Sequence, residues 1–211
     1  MKKPKFIAAH ASNPKGLLGR LILAGMVRQT SAENDHAIEI LAPEASWTVI
    51  DIGTGHGHAL SRLAKVVTSG KLVGIDQSET ALQAARRRNA ALIENGRLEL
   101  HCCACDDIPV PSGTVDGAIT LHTVYFLPRL DSAFAEFARI LKPRGSIVVG
   151  FRPPGPQTSP DLFPDDVYRF RSAEEIMACA LQYGLHPSEQ QTLKVAGKQM
   201  TFLKLEKRHV S

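Results

Sequence analysis

The chain of 211 residues is 44% apolar and 22% charged, which suits one globular domain with additions. Its formal net charge of +4 is too small to indicate a nucleic-acid partner, and no stretch contains the ~18 apolar residues that a membrane span needs. Three of the four cysteines crowd into residues 102–105, which suits no disulfide framework, so we expect a reducing, cytoplasmic compartment.

Residues 1–45 precede the first predicted strand and have the pattern of helices, with Thr30 and Glu33 spaced as a capping box. We predict that this segment forms a helical cap, or lid, over the rest of the chain. Residues 46–211 are predicted to form the main domain. Within it, the proline-rich stretch 152–171 is predicted to be a second covering segment.

From residue 46 onward, apolar strands alternate with amphipathic helices. Strands are predicted at 46–53, 71–76, 97–103, 115–121 and 145–151, and helices at 58–67, 79–96, 129–142 and 172–183. Two stretches of alternating polarity, 188–197 and 198–207, predict an antiparallel hairpin. This order predicts an α/β, Rossmann-like fold: a doubly wound, mostly parallel sheet of seven strands, with an antiparallel C-terminal edge hairpin and helices on both faces.

The first predicted strand runs directly into a glycine-rich turn, DIGTGHGH, over residues 51–58. In a parallel sheet, ligands bind beyond the carboxyl ends of the strands, and this turn lies there. A dinucleotide loop has the spacing G-x-G-x-x-G, whereas here the third glycine comes one place early and His58 stands in its place. The Gly-Lys-Ser/Thr of a P-loop is absent. The turn therefore disfavours a nicotinamide cofactor and excludes a P-loop.

Four ordered motifs over residues 46–151 resemble those of class I S-adenosylmethionine-dependent methyltransferases. The glycine turn that begins at Asp51 looks like motif I of that family, and Asp76 ends the second strand where the family has an acid. The segment DDIPVPSGTVDGAIT resembles the family's approach to strand four, and FARILKPRGSIVV is similar to its helix–Lys-Pro-x-Gly–strand signature. The resemblance implies S-adenosyl-L-methionine as the cofactor and methyl transfer as the activity.

The resemblance also implies how the methionine and ribose parts of the cofactor are held. Backbone N–H groups of the glycine turn, with the N-terminus of the next helix, would bind the carboxylate of the methionine part. Asp51 would orient its amine, and Asp76 would accept both ribose hydroxyls. The predicted contacts at this end are Asp51, Gly53, Thr54, Gly55, Gly57 and Asp76.

At the adenine end the chain departs from the family pattern. Family members often have an acid that binds the adenine amino group, and the aligned residue here is Ala104. Asp106, two residues further on, is the candidate to replace that acid, with Cys105 contributing backbone. Gln77 is expected beside the adenine, and Leu121 is the remaining predicted contact.

Two clusters invite interpretation as metal sites. His56 and His58 lie two residues apart in a turn without a clear third ligand, so they are expected to be turn residues, with His56 able to touch cofactor or substrate. In the stretch from His101 to Cys105, the thiols are spaced more tightly than in zinc sites, and neighbouring side chains of a strand point to opposite faces. We expect thiols near the adenine pocket and no bound metal.

His122 and Tyr125 follow the fourth strand, where cofactor and acceptor meet in the family that this chain resembles. His122 is a candidate general base, or alternatively a lining residue that only forms hydrogen bonds. Tyr125 is a candidate contact to the acceptor, or alternatively a core aromatic. The Pro-Pro-aromatic pattern of DNA amino-methyltransferases is absent, which disfavours a nucleic-acid substrate.

The sequence thus predicts an enzyme that transfers a methyl group to an oxygen, nitrogen or carbon atom of a small molecule. A small acceptor is favoured because the chain has little room for a large recognition domain. Two alternatives stay open: a catalytically silent module of this fold that binds cofactor or protein, and a nicotinamide-dependent dehydrogenase. The acceptor and the oligomeric state are not defined by the sequence.

Overall fold

The computed structural model describes residues 30–158 and 167–208. Its strands are β1 Thr48–Ile52, β2 Lys71–Asp76, β3 Leu98–Cys102, β4 Val115–Leu121, β5 Leu141–Phe151, β6 Leu185–Val195 and β7 Lys198–Lys207. Its α-helices are α1 over 30–41, α2 His58–Leu63, α3 Glu79–Arg88, α4 Ala90–Glu94, α5 Leu130–Ile140 and α6 Ala173–Gln182. Single turns of 3₁₀-helix cover Val124–Phe126 and Pro156–Thr158.

The seven strands form one sheet in the order β3-β2-β1-β4-β5-β7-β6. Strands β1 to β5 are parallel, and β7 runs antiparallel to both β5 and β6. This arrangement confirms the predicted fold, including its C-terminal edge hairpin. The direction of winding reverses between β1 and β4, so the carboxyl ends of these two strands border the crevice in which such sheets bind ligands.

Two apolar layers bury the sheet, one on each face. Phe134 and Phe137 of α5 pack on one face with α6, and Leu41 of α1 packs with Leu60 of α2 on the other. Because neighbouring residues of a strand point to opposite faces, each strand supplies both layers. Burial on both faces explains why the strands are near-continuous apolar runs in the sequence.

The helix predicted over 79–96 is interrupted at Asn89, which separates α3 from α4. The Asn89 side chain is buried, donates to the backbone oxygen of Gly57 over 3.0 Å and accepts from the Ser61 hydroxyl over 2.7 Å. The helix therefore breaks where a buried amide bonds it to the glycine turn.

Two other element boundaries differ from the prediction. Helix α2 ends at Leu63, before the predicted residue 67. Strand β5 begins at Leu141, before the predicted residue 145, because Leu141 pairs with Val115.

The two predicted capping boxes had different outcomes. Ser172 caps α6 and exchanges both expected hydrogen bonds with Glu175. The Glu33 half of the box predicted at Thr30 is wrong, since Glu33 Oε2 is bonded to His122 and Oε1 has no partner, whereas the cap by Thr30 stays a prediction. The predicted cap over 1–45 can be followed only from residue 30, and the cover loop 152–171 only outside 159–166, because the other residues lie outside the described parts.

Neither described stretch, 30–158 or 167–208, contains a helix both long and apolar enough to cross a membrane. All four cysteines of the chain are described, and each is a free thiol. Cys102 is exposed, Cys103 and Cys105 are half-buried, and Cys179 is buried. Burial raises the pKa of Cys105 to about 11, so this thiol stays protonated near neutral pH.

Candidate functional site

A pocket opens at the carboxyl ends of β1 and β4, where the winding of the sheet reverses. Helix α1 closes one side of it with Thr30 and Asn34. The predicted site residues that line this pocket are Asp51, Gly53, Thr54, Gly55, Leu121 and His122. The fold therefore brings together the glycine turn and the end of the fourth strand, which are about 70 residues apart in the sequence.

Asp76 holds the glycine turn in place from the neighbouring strand. One of its carboxylate oxygens accepts the backbone N–H of Gly55 over 2.9 Å, and the other accepts that of Ser78 over 2.8 Å. Burial raises the pKa of Asp76, and the two backbone hydrogen bonds oppose that rise. Each oxygen of a carboxylate can accept two hydrogen bonds, so each retains capacity for a ligand hydroxyl.

Asp51 lies at the floor of the pocket, and its side chain is buried. The Thr54 hydroxyl donates to one Asp51 oxygen over 2.6 Å. Burial raises the pKa of Asp51 to about 7; the bond from Thr54 lowers it, and the nearby charge of Asp76 raises it further. A carboxylate whose ionisation is this costly would be stabilised by a cationic group placed next to it.

The three glycines of the turn have different surroundings. All three have positive φ angles, of 80°, 55° and 74° in chain order. A Cβ atom on Gly55 would meet open space, whereas one on Gly57 would lie 2.6 Å from the Asn89 amide nitrogen and 2.9 Å from the Ala85 Cβ. Gly57 does not line the pocket, so the structure gives it a packing role against α3. Its predicted contact with cofactor stays a prediction.

The residues predicted at the adenine end lie outside the pocket, along the same edge of the sheet. Cys103 follows β3 and donates its backbone N–H to the Asp76 backbone oxygen over 3.2 Å, which connects this segment to the site. Gln77, Ala104 and Asp106 are exposed. The Asp106 carboxylate accepts from the Ser132 hydroxyl over 3.2 Å, so it points toward the start of α5.

His122 and Tyr125 belong to one chain of hydrogen bonds. The His122 Nε2 atom lies 2.6 Å from Oε2 of Glu33, and its Nδ1 atom lies 3.0 Å from the Tyr125 hydroxyl. The backbone N–H of Arg152 donates to the same hydroxyl. Both ring nitrogens of His122 are therefore engaged. Tyr125 is buried in the core, and this burial raises its pKa.

The histidines of the glycine turn both face the pocket. The His58 Nε2 atom lies 3.1 Å from the Ser31 hydroxyl of α1. Burial lowers the pKa of His56 to about 4, so this imidazole is neutral at physiological pH. Among residues 30–158 and 167–208, no group of three or more metal-ligating side chains is placed to hold an ion.

Helix α1 contributes residues that the sequence does not predict at the site. The sequence indicates Glu33 only as part of a helix cap, and it indicates no pocket contact for Thr30 or Asn34. No local signal distinguishes Glu33, because its partner His122 is 89 residues away. Such a pairing depends on how α1 packs on the sheet, which a single sequence does not reveal.

The strand order, the pocket at the switch point and the glycine turn with its two acids define a Rossmann-like domain that binds a nucleotide-containing cofactor. Residues 50–149 match the family model described as a methyltransferase domain. The match includes the motifs by which the chain resembles the class I S-adenosylmethionine-dependent methyltransferases, and it agrees with the assignment that those motifs predict.

Relatives at the sequence and structure levels agree with this assignment. The chain is 30% identical over 133 residues to the ubiquinone/menaquinone biosynthesis C-methyltransferase UbiE of Syntrophotalea carbinolica, which covers 63% of this chain and 54% of that protein. It thus spans about half the length of that relative. Geranyl diphosphate C-methyltransferase from Streptomyces coelicolor has the same fold, with a TM-score of 0.72, 15% identity and coverage of 94% and 87% of the two chains. The 4+2 cyclase SpnF also has this fold, with a TM-score of 0.72, 18% identity and coverage of 84% and 81%.

Proposed function

We propose that the protein binds S-adenosyl-L-methionine and transfers its methyl group to a small-molecule acceptor. The observation that carries the proposal is the pairing of Asp76 with the backbone of Gly55. It joins an acid at the end of β2 to the glycine turn after β1. A ribose and the methionine part of one cofactor need these two features side by side.

The residues of the pocket fit the chemistry of this cofactor. Gly55 leaves open space where a side chain would stand. Asp76 keeps acceptor capacity on both carboxylate oxygens for a pair of ribose hydroxyls. Asp51 is a buried carboxyl that a cationic α-amine would stabilise in its ionised form. Gln77, Ala104, Cys105 and Asp106 follow along the same edge and are proposed to surround the adenine.

In the proposed reaction, the protein aligns the acceptor with the methyl group and keeps water out. The sulfonium of the bound cofactor supplies an already activated methyl group. Leu121 and His122 lie at the end of β4, where the pocket continues from the glycine turn toward the acceptor. Helix α1 borders this side of the pocket through Thr30 and Asn34. If residues 1–45 act as the proposed cap, methyl transfer takes place beneath α1.

The acceptor is proposed to be a small molecule rather than a nucleic acid. The two methyltransferases compared above are named for ubiquinone/menaquinone biosynthesis and for geranyl diphosphate, which are small molecules. The modest net charge of +4 also gives no reason to expect a polyanionic partner. A cytoplasmic location remains a prediction from the cysteines.

Calorimetric titration tests the cofactor first. We expect S-adenosyl-L-methionine and S-adenosyl-L-homocysteine to bind at one site per chain and NAD not to bind. Binding of NAD alone would support the dehydrogenase alternative. Transfer of isotope from methyl-labelled cofactor to a panel of phenols, catechols, aliphatic amines and thioethers then tests turnover.

A second candidate function is a domain that binds the cofactor and does not transfer its methyl group. The observation that favours it is the cyclase SpnF, since one fold hosts both that protein and methyltransferases. Cofactor binding without turnover of any acceptor in the panel would support this candidate. Labelled product from any acceptor would exclude it.

A further inference from the structure

The hydrogen bonds at the acceptor end form one chain. The backbone N–H of Arg152 can only donate, so the Tyr125 hydroxyl accepts there. The same hydroxyl lies 3.0 Å from His122 Nδ1. Glu33 is at the far end of the chain, where its Oε2 atom lies 2.6 Å from His122 Nε2.

One atom of this chain has no partner. Glu33 Oε1 is buried and accepts no hydrogen bond, while Oε2 is bonded to His122. The residue as a whole is 1% exposed. A buried carboxylate oxygen without a donor is costly, and such groups in a native fold call for an explanation. A ligand that brings a donor to this oxygen would remove the cost.

Two cationic side chains are near Glu33. Burial and the charge of Arg152 lower the pKa of Lys198, while the charge of Glu33 raises it, which places one carboxylate and two cations in a single electrostatic group. Lys198 begins β7 and Arg152 directly follows β5, so both lie at the same edge of the sheet as His122.

The backbone at His122 is unusual as well. Its φ angle is 57°, in the left-handed region that a residue with a Cβ atom rarely adopts. Its N–H is held by the Gly150 backbone oxygen over 2.8 Å. This conformation turns the imidazole toward Glu33 and Tyr125 at the wall of the pocket. Strained residues of this kind occur preferentially at functional sites.

We propose that Glu33 is the general base of the reaction, that Oε1 receives the proton of the methyl acceptor, and that the acceptor therefore carries an O–H or N–H group. His122 and Tyr125 are positioning residues that hold the other Glu33 oxygen. This inference rests on the proposed methyl transfer. It places the base on α1, one residue before Asn34 of the pocket wall.

The step balances in the following way. A lone pair on the acceptor oxygen or nitrogen forms a bond to the methyl carbon, and the carbon–sulfur bond breaks with its electron pair left on sulfur. The acceptor's proton moves to Glu33 Oε1 and leaves to solvent after the product departs. For a carbon acceptor, the proton comes from a hydroxyl on the same molecule, which makes the conjugated carbon nucleophilic.

Substitution of Glu33 tests the assignment, with an exposed glutamate of the same helix as the control. Glu33→Gln keeps size but cannot take up a proton, so turnover of a phenol or amine should fall between about 100-fold and 10,000-fold. Affinity for S-adenosyl-L-methionine should stay within about twofold, because Glu33 is not among the residues proposed to hold the cofactor. Glu39→Gln, whose parent side chain is 74% exposed, should turn over like the parent.

Further measurements separate the possible failures. Glu33→Asp keeps the carboxylate but shortens the side chain by one methylene, which moves the carboxylate oxygens away from the acceptor. This variant should therefore retain more turnover than Glu33→Gln, which has no carboxylate. Nitrogen-15 spectra of the parent should show His122 protonated at Nε2, because a carboxylate that serves as the base can only accept from it. An unprotonated Nε2, equal turnover by Glu33→Gln and the parent, or turnover of thioethers alone overturns the inference. No turnover by the parent overturns the proposed function, and this inference with it.

Discussion

The Asp76 carboxylate and the Gly55 backbone N–H lie 2.9 Å apart, across the gap between the ends of β2 and β1. The same carboxylate also holds Ser78, which caps α3 by accepting the N–H of Ala81. One side chain thus joins two neighbouring turns of the sheet before any ligand is bound. Its role is to shape the site as well as to contact a ligand.

Replacement of Asp76 should therefore weaken the cofactor in two ways. Asp76→Ala removes the proposed partner of the ribose hydroxyls and frees the Gly55 N–H, so the affinity for S-adenosyl-L-methionine should fall by about 1.5–3 kcal/mol, the scale of hydrogen bonds to a charged group. Calorimetry measures this change, with Glu79→Gln on the exposed part of α3 as the control. An unchanged affinity in a folded Asp76→Ala protein would remove Asp76 from the ribose site.

Asp51 should make the stability of the ligand-free protein depend on pH. Burial raises its pKa in the folded protein to about 7, above the ordinary value of 3.8. The protonated form is therefore the one that folding favours, and stability from this group falls as pH rises from about 4 to about 7 and stays low above that. Asp51→Asn should match the parent near pH 4 and be more stable than it by a few kcal/mol at pH 8, on the scale of ~1.4 kcal/mol per unit of pKa shift.

Urea unfolding at several pH values measures the effect, and Asp116→Asn serves as a control acid of the same sheet. If parent and Asp51→Asn lose stability in parallel between pH 4 and 8, the carboxyl is not the source of the slope. The cofactor adds a second test. A cationic amine next to Asp51 favours its ionised form, so the affinity of the parent for S-adenosyl-L-homocysteine should rise with pH through about 7, and that of Asp51→Asn should not.

Gly55 and Gly57 offer a matched pair of substitutions in one turn. Both have positive φ, so an alanine at either position has a backbone cost of about 1–2 kcal/mol. Gly57→Ala also forces a methyl group against Asn89 and Ala85, which adds the 1–3 kcal/mol or so typical of overpacking. Gly55→Ala meets no neighbour within 4 Å. Denaturant unfolding should therefore rank Gly57→Ala as the less stable variant.

Cofactor binding should rank the same two variants in the opposite order. The Cβ atom of Gly55→Ala would occupy space in the pocket that is proposed to hold the cofactor. Gly57 lies behind the turn, so Gly57→Ala should retain more affinity once it is folded. Equal stability of the two variants would mean that α3 yields to the added methyl group.

The sheet could be predicted from the sequence because its signals are local. The strand from Val115 to Leu121 was predicted with its observed bounds, since its apolar run is bordered by turn residues. The break at Asn89 could not be predicted, because the buried amide acts on Gly57 and Ser61 of another element. Local propensity indicates one long helix there, and tertiary hydrogen bonds override it.

For the candidate site as well, residues with local sequence signals could be predicted, and residues that depend on long-range contacts could not. Asp51 and Asp76 are predicted from the family motifs that they resemble, and their contacts with cofactor stay predictions. Glu33 could not be predicted because its contact with His122 joins the first described helix to the end of β4. The sequence indicates His122 as a base or a lining residue, and it cannot indicate that both ring nitrogens are engaged. Only the packing of α1 on the sheet reveals that the unpaired acceptor atom belongs to Glu33.

Helix α1 should respond to ligand if residues 1–45 act as a cap. The described helix is attached to the main domain by Arg62, which donates two hydrogen bonds to the Asp35 carboxylate at 2.6 Å and 2.8 Å, and by the apolar side chains of Ile38 and Leu41. Its first turn borders the pocket through Thr30 and Asn34. A ligand that contacts these residues stabilises the closed position of the helix.

Amide hydrogen exchange in residues 30–36 should therefore slow when S-adenosyl-L-homocysteine binds, and exchange in α6, remote from the pocket, should not change. Arg62→Ala removes a side chain that anchors α1 without lining the pocket, so it should speed exchange of the ligand-free helix and increase the ligand's protective effect. Equal exchange of residues 30–36 with and without ligand would show that the segment is attached to the domain but does not act as its lid. Glu33 would then need another route of access for the acceptor, because its side chain is only 1% exposed.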